Sequence, residues 1–284
     1  MGHRQLRLPH GITLHLAEAG PVDGPPVVLL HGFPDCWITW RFQLPALAAA
    51  GFRVIAPDLR GYGLSSRPPA VADYRVDALL QDLVALLDLA AGGRAHVVGH
   101  DWGGALAWCL AMMHPATVDR LAILNAPHPG SFLRALRSPA QLRRSWYMLA
   151  FQVPVLPERI LTRLARTHGL APGPVVGVPP LPEDVRGIYA QCFDSPVALR
   201  GPVHYYRALF RYDLPTLRRR LRPVEAPTLV IWGLDDAVLG PALLDDLDDH
   251  VRNLRVERLP GVGHFVHQQA PDAVNRLLVD FLPG

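Results

Sequence analysis

The chain has 284 residues, of which 50% are hydrophobic and 19% charged, with a formal net charge of +3. That length admits one large domain or two small ones, and the apolar content excludes a disordered chain, which could not bury enough surface to offset the entropy of ordering. No apolar run approaches the roughly 18 residues that a membrane-spanning helix needs, and Met1 to Arg4 leads into polar alternation without an apolar signal core, so a cytoplasmic protein is expected.

Ile12 to Glu18 alternates apolar and polar residues, which predicts a half-exposed edge strand. Val27 to Leu30, after Pro25 and Pro26, reads as a strand buried on both faces, and Phe52 to Pro57 as another. Val76 to Ala91 has apolar residues at helical spacing. Ala95 to Val98 returns to strand, Gly103 to His114 reads as a helix stopped by Pro115, and Leu121 to Leu124 is strand again. After a long interval come strands at Thr228 to Trp232 and Arg255 to Leu259, then a helix from Pro271 to Phe281. Strands alternating with helices predict an α/β fold with a mostly parallel sheet covered on both faces.

Residues 128–222 break this rhythm. Helical stretches appear at Ser138 to Phe151 and Ser195 to Phe210, the five prolines of Ala171 to Pro182 predict a loop, and no strand pattern occurs. The charge breaks at the same places. Residues 128–222 carry 15 arginines against 5 acids, whereas residues 1–127 carry 9 against 10 and residues 223–284 carry 4 against 10. All 28 basic residues are arginine. The prediction is a helical insertion, 128–222, in a core formed by 1–127 and 223–284. Arg218 to Arg220 lacks the interleaved aromatics or module of a nucleic-acid binder and reads as a solvated helix face. Cys36, Cys109 and Cys192 are an odd count without CxxC spacing, so buried thiols are expected rather than a disulfide scaffold or zinc site. No cluster has metal-ligand spacing, and no metal or cofactor is expected.

The chemistry concentrates at Val97-Val98-Gly99-His100-Asp101-Trp102-Gly103-Gly104, a strand, a glycine-flanked turn and a helix. The spacing is that of the nucleophile elbow G-x-S-x-G, with Asp101 in place of serine. A carboxylate attacks an sp³ carbon and leaves an alkyl ester, but opens esters and amides poorly, so displacement at carbon is favoured over esterase or protease chemistry. His31-Gly32-Phe33-Pro34 follows the strand at Val27, where backbone N–H groups of Phe33 and of Trp102 could hold a developing oxyanion. Further on, Asp236 (with Asp235 its neighbour and rival) and then His264, flanked by glycine, complete the order nucleophile, acid, histidine. His100, His128 and His267 read as structural.

These motifs resemble those of the epoxide hydrolases of the α/β-hydrolase fold. The resemblance runs over nearly the whole chain, through HGFPDCWITWRFQLPAL (31–47), APDLRGYGLSSRP (56–68), VVGHDWGGALAW (97–108), LNAPHP (124–129), WGLDDAVL (232–239) and GVGHFVHQQAPDAVN (261–275). It implies an α/β-hydrolase core with an inserted helical cap, a small-molecule epoxide and water as the partners, and a monomer or homodimer. It also implies two cap tyrosines that hold and protonate the epoxide oxygen, matched here by Tyr147 and Tyr206, although Tyr205 is adjacent to the second. Haloalkane dehalogenases share the Asp nucleophile and form the alternative; they commonly place a side-chain amide where this chain has Phe33. Fluoroacetate-type enzymes have arginines where this chain has Trp102 and Ala105. A non-catalytic binding protein on the same fold is the remaining alternative.

Overall fold

The computed structural model describes residues 1–168 and 181–283. Strands β1 (Gly2–Arg7), β2 (Thr13–Ala19), β3 (Pro26–Leu30), β4 (Arg53–Pro57), β5 (Ala95–His100), β6 (Val118–Leu124), β7 (Thr228–Gly233) and β8 (Leu254–Leu259) form one sheet in the order β1-β2-β4-β3-β5-β6-β7-β8. β1 and β2 are antiparallel to their neighbours and the remaining pairings are parallel. Every residue of β5 and β7 is buried, as expected where helices cover both faces of a parallel sheet. Helices α1 (Gln43–Ala49), α2 (Val76–Ala90) and α3 (Asp101–Met113) belong to the first part of the core. Between β6 and β7 the chain forms α4 (Pro129–Ala135), α5 (Pro139–Arg144), α6 (Trp146–Ala150), α7 (Leu156–His168), α8 (Glu183–Phe193), α9 (Pro196–Ala208) and α10 (Leu214–Arg220). The core closes with α11 (Val266–Gln269) and α12 (Pro271–Phe281).

β3 lies between β4 and β5, so the chain winds away from β3 in both directions. A crevice opens at the carboxyl ends of the strands at such a switch point. The loop after β3 and the turn after β5 therefore meet there, which brings His31 to Pro34 beside Asp101.

Two expectations need correction. Ile12 to Glu18 is not at the edge: β1 pairs with β2 along its full length, from Gly2 opposite Glu18 to Arg7 opposite Thr13. β1 reads GHRQLR and buries little, so it has no apolar alternation; the ladder and an Arg4–Glu18 ion pair at 2.6 Å hold it. A charged edge strand also resists pairing with other chains. The stretch Ser138 to Phe151 is two short helices rather than one, because Pro139 and Ser145 each begin a new helical start, and α4 precedes them. α9 runs on past Ala208 into a π-helical turn, Leu209–Asp213. The proline-rich segment from Ala171 lies outside the described residues except for Leu181 and Pro182, which form no regular element.

The helices between β6 and β7 lie over the carboxyl end of the sheet and are tied to it by polar contacts. Tyr189 donates to Asp35 Oδ1 at 2.6 Å, Tyr205 to the Arg60 carbonyl at 2.9 Å, and Arg144 Nη1 to the Asp236 carbonyl at 2.6 Å. No described helix is long and apolar enough to cross a membrane.

Candidate active site

Asp101 is the first residue of α3 and has φ +49°, in the left-handed region that aspartate tolerates better than most residues. This turn projects the carboxyl out of the sheet. Its flanks must be small: a Cβ on Gly99 would lie 2.6 Å from the Gly103 carbonyl oxygen, and one on Gly103 would lie 2.1 Å from that of Leu30. A Cβ on Gly32 would lie 2.4 Å from that of Asp101, so only glycine lets the loop after β3 come this close.

The two carboxylate oxygens of Asp101 face different groups. Oδ1 accepts the Phe33 backbone N–H at 2.7 Å, and Oδ2 lies 3.6 Å from His264 Nε2. The other side of the imidazole, Nδ1–H, donates to Asp236 Oδ2 at 2.7 Å. Asp236 is fixed in turn: its Oδ1 accepts the Val238 and Leu239 N–H groups at 2.7 and 2.8 Å. Asp236, rather than Asp235, therefore faces His264. The Trp102 N–H makes no hydrogen bond to Asp101; of the two expected donors, only Phe33 touches the resting carboxylate.

Burial disfavours charge on all three groups, yet their mutual attraction outweighs it. The nearby positive charge of His264, at 3.6 Å, and the Phe33 N–H hold the Asp101 carboxyl below its usual range. The start of a 13-residue helix acts in the same direction. Burial opposes charge on Asp236 too, but His264, Leu239 N–H and Asn125 lower its pKa. For His264, burial is overcome by the Asp236 and Asp101 carboxylates, which raise it to about 10. The two carboxylates on either side of the ring thus favour its protonated form.

Above Asp101, Tyr147 of α6 and Tyr206 of α9 line one pocket with it, together with Trp102 and Met148. Their rings meet edge to face, with centroids 5.8 Å apart. Burial and the nearby Asp101 charge push the Tyr147 phenol above its ordinary value, and burial with Tyr147 and Asp101 does the same at Tyr206, so both keep their protons. Tyr205 points elsewhere, to Arg60. Phe33 packs edge-on against Tyr206 and offers the pocket no side-chain donor.

Sequence reading missed Asn125. It follows β6 with φ +39°, fully buried; its Nδ2 donates to Asp236 Oδ2 at 2.8 Å, and its Oδ1 accepts the Gly233 N–H at 2.9 Å. Its position just beyond a strand end, beside the loop carrying Asp236, was the available signal. His100 donates from Nε2 to the His264 carbonyl at 3.0 Å, and burial holds it neutral; His267 pairs with Thr39 at 2.6 Å, and His128 accepts the Gly130 N–H. All three support the site from behind or lie away from it. The three cysteines are buried and unbridged, and no group of His, Cys, Asp or Glu among the described residues could hold a metal ion.

An eight-stranded, mostly parallel sheet with a carboxylate on the elbow after β5 defines an α/β hydrolase, and the chain belongs to the α/β-hydrolase fold family, whose pattern matches residues 25–271. Within that family it belongs with the epoxide hydrolases. It is 37% identical over 279 residues to the AB hydrolase superfamily protein YfhM of Bacillus subtilis, covering 96% of this chain and 95% of that one. It is also 37% identical to epoxide hydrolase 3 of Xenopus tropicalis, covering 96% of this chain and 75% of the relative. Among solved structures, one of the novel epoxide hydrolases from metagenomes of hot environments superposes with a TM-score of 0.86 at 37% identity, over 100% of this chain and 99% of that one.

Proposed function

We propose that the protein hydrolyses an epoxide to a 1,2-diol through an ester on Asp101, with residues 128–222 serving as the cap over the core. The observation that carries this reading is the division of labour on one carboxylate: a backbone donor on Oδ1, and His264 backed by Asp236 near Oδ2, beneath two protonated phenols. Asp101 is ionised and attacks an epoxide carbon through Oδ2 from the side opposite the C–O bond. That bond breaks, and Tyr147 and Tyr206 hydrogen-bond the departing oxygen and supply its proton. The product is a hydroxyalkyl ester.

Esterification removes one of the two negative charges that hold the proton on His264. The ring's pKa falls, its proton leaves and a proton returns to the phenolate left by the first step, and the neutral imidazole then takes a proton from water, whose oxygen adds to the ester carbonyl. The oxyanion forms on Oδ1, already against the Phe33 N–H, with the Trp102 N–H as its second donor. Donors of this kind contribute about 3 kcal/mol each in the transition state. Collapse releases the diol and restores the carboxylate. The triad would also serve a haloalkane dehalogenase, but a leaving oxygen needs protons, and phenols rather than a side-chain amide face the nucleophile.

The test is turnover of styrene oxide and 1,2-epoxydecane beside 1-bromobutane, with Asp101→Ala as control. Diol from the wild type and none from the variant is expected. Bromide release without diol would overturn the reading, and saturable ligand binding without turnover would make the protein a binder.

A further inference from the structure

The pocket containing Asp101 extends along α3. Asp101, Ala105 and Cys109 recur every fourth residue on one helix face, and all three line it. From Asp101 to Cys109 the helix rises about 12 Å, the length of a saturated chain of roughly ten carbons. Leu106, Leu209 and Leu217 make the walls of this arm apolar. At its far end stands a carboxylate, Asp213, the last residue of the π-helical turn after α9.

Asp213 is only 5% exposed and makes no ion pair among the described residues. Its two oxygens share the Val76 N–H of α2 at long distances, 3.3 and 3.2 Å. Arg220 and Arg75 both act on its charge without pairing with it: Arg220 is held by both oxygens of Asp77, and Arg75 lies over the Tyr212 ring. A carboxylate has about four acceptor sites, and among the described residues only the Val76 N–H donates to that of Asp213. Burial raises its pKa to about 6, against the pull of the Val76 N–H and Arg220, so it is charged at neutral pH. A structural cap for α2 explains the contact with Val76. It does not explain why the carboxylate also lines the arm that begins at the nucleophile.

We propose that Asp213 is a specificity-determining residue that accepts a hydrogen bond from a hydroxyl or ammonium group at the far end of an elongated apolar epoxide, and rejects a chain ending in a carboxylate. The proposal rests on the epoxide-hydrolase reading above. A tail hydroxyl satisfies an acceptor that otherwise lacks a full set of donors. A tail carboxylate places like charges together in an arm with apolar walls.

The test compares kcat/KM for 1,2-epoxydecane, its ω-hydroxy analogue and its ω-carboxy analogue, in wild type and in Asp213→Asn. The wild type is expected to prefer the hydroxy over the carboxy substrate by at least about 100-fold, and the unsubstituted chain to fall between them. In Asp213→Asn, which keeps the volume and removes the charge, the hydroxy-to-carboxy ratio should shrink at least about tenfold. If the wild type handles both tails alike, or the variant slows all three substrates while their ratio holds, Asp213 is a structural cap only and the proposal falls. Should the variant fail to fold, the wild-type ratio decides. Opening of styrene oxide but of no ten-carbon epoxide would overturn this proposal alone, whereas diol from neither would overturn the reaction reading beneath it.

Discussion

Asp101, Asp236 and His264 stand beyond strand ends and are held by hydrogen bonds from backbone N–H groups and by the His264–Asp236 bond, at 2.7 to 2.8 Å for Phe33, Val238, Leu239 and the His264–Asp236 pair, with Asp101 in ion-pair contact with His264 at 3.6 Å. Tyr147 and Tyr206 stand on helices of the insertion and are placed by ring packing, against each other at 5.8 Å and against Phe151 at 5.6 and 4.9 Å. The first set is fixed in direction by charge-assisted bonds. The second is fixed mainly by shape, which tolerates small displacement. In the proposed mechanism the core sets the reaction, and the insertion sets what reaches it and how the leaving oxygen is received.

The sharpest way to break that contrast is to disable the core's second step alone. His264→Gln should lower kcat by at least about 10⁴-fold while the first step proceeds, so that intact-mass analysis after incubation with styrene oxide shows protein heavier by one epoxide. Unmodified protein would mean that His264 is needed for ester formation. On the insertion side, Tyr147→Phe and Tyr206→Phe should each lower single-turnover ester formation by about 10- to 100-fold, and together by more, without trapping ester. An unaffected double variant would reduce both tyrosines to packing. Asn125→Ala leaves Asp236 with one donor fewer; about a tenfold loss in kcat with little change in KM is expected. An equal change in KM would place Asn125 in substrate binding instead.

The smallest effect is a titration. NMR should find His264 protonated at neutral pH and losing its proton near pH 10 in the free protein. Because its folded pKa lies above the unfolded value, its contribution to stability is fully present below about pH 6.5 and is lost as pH rises through about 10. Asp101→Asn removes one of the two carboxylates, so the midpoint should move down in that variant. An unchanged midpoint would mean that Asp236 alone sets the charge, and that ester formation does not release the base.

How much of this the sequence carried depends on how local each signal is. The elbow is local: its glycines are required by contacts within a few residues or with the adjoining β3 loop, so Asp101 and His31 to Phe33 were readable from spacing. Asp236 and His264 were readable from chain order. Tyr147 and Tyr206 came only through resemblance, since a tyrosine on a helix looks the same whether it packs or reacts. β1 was missed because it is held by its ladder and by charges, not by an apolar face. Asn125 and Asp213 were missed because each lies beside a group more than 100 positions away, Asp236 in one case and the pocket of Asp101 in the other. Only the folded chain makes those pairs neighbours.

The contact between Gly32 and Asp101 has a consequence for the energetics of turnover. With no side chain between them, the loop after β3 and the elbow touch backbone to carboxyl, and the Phe33 N–H points at Asp101 Oδ1, the oxygen on which the proposed second step forms its oxyanion. In water, solvent dipoles must reorient around each new alkoxide as it forms. In the proposed cycle that reorientation happens once, when the chain folds and the turn at Asp101 brings its carboxyl against the Phe33 N–H, so each turnover begins with the dipole in place.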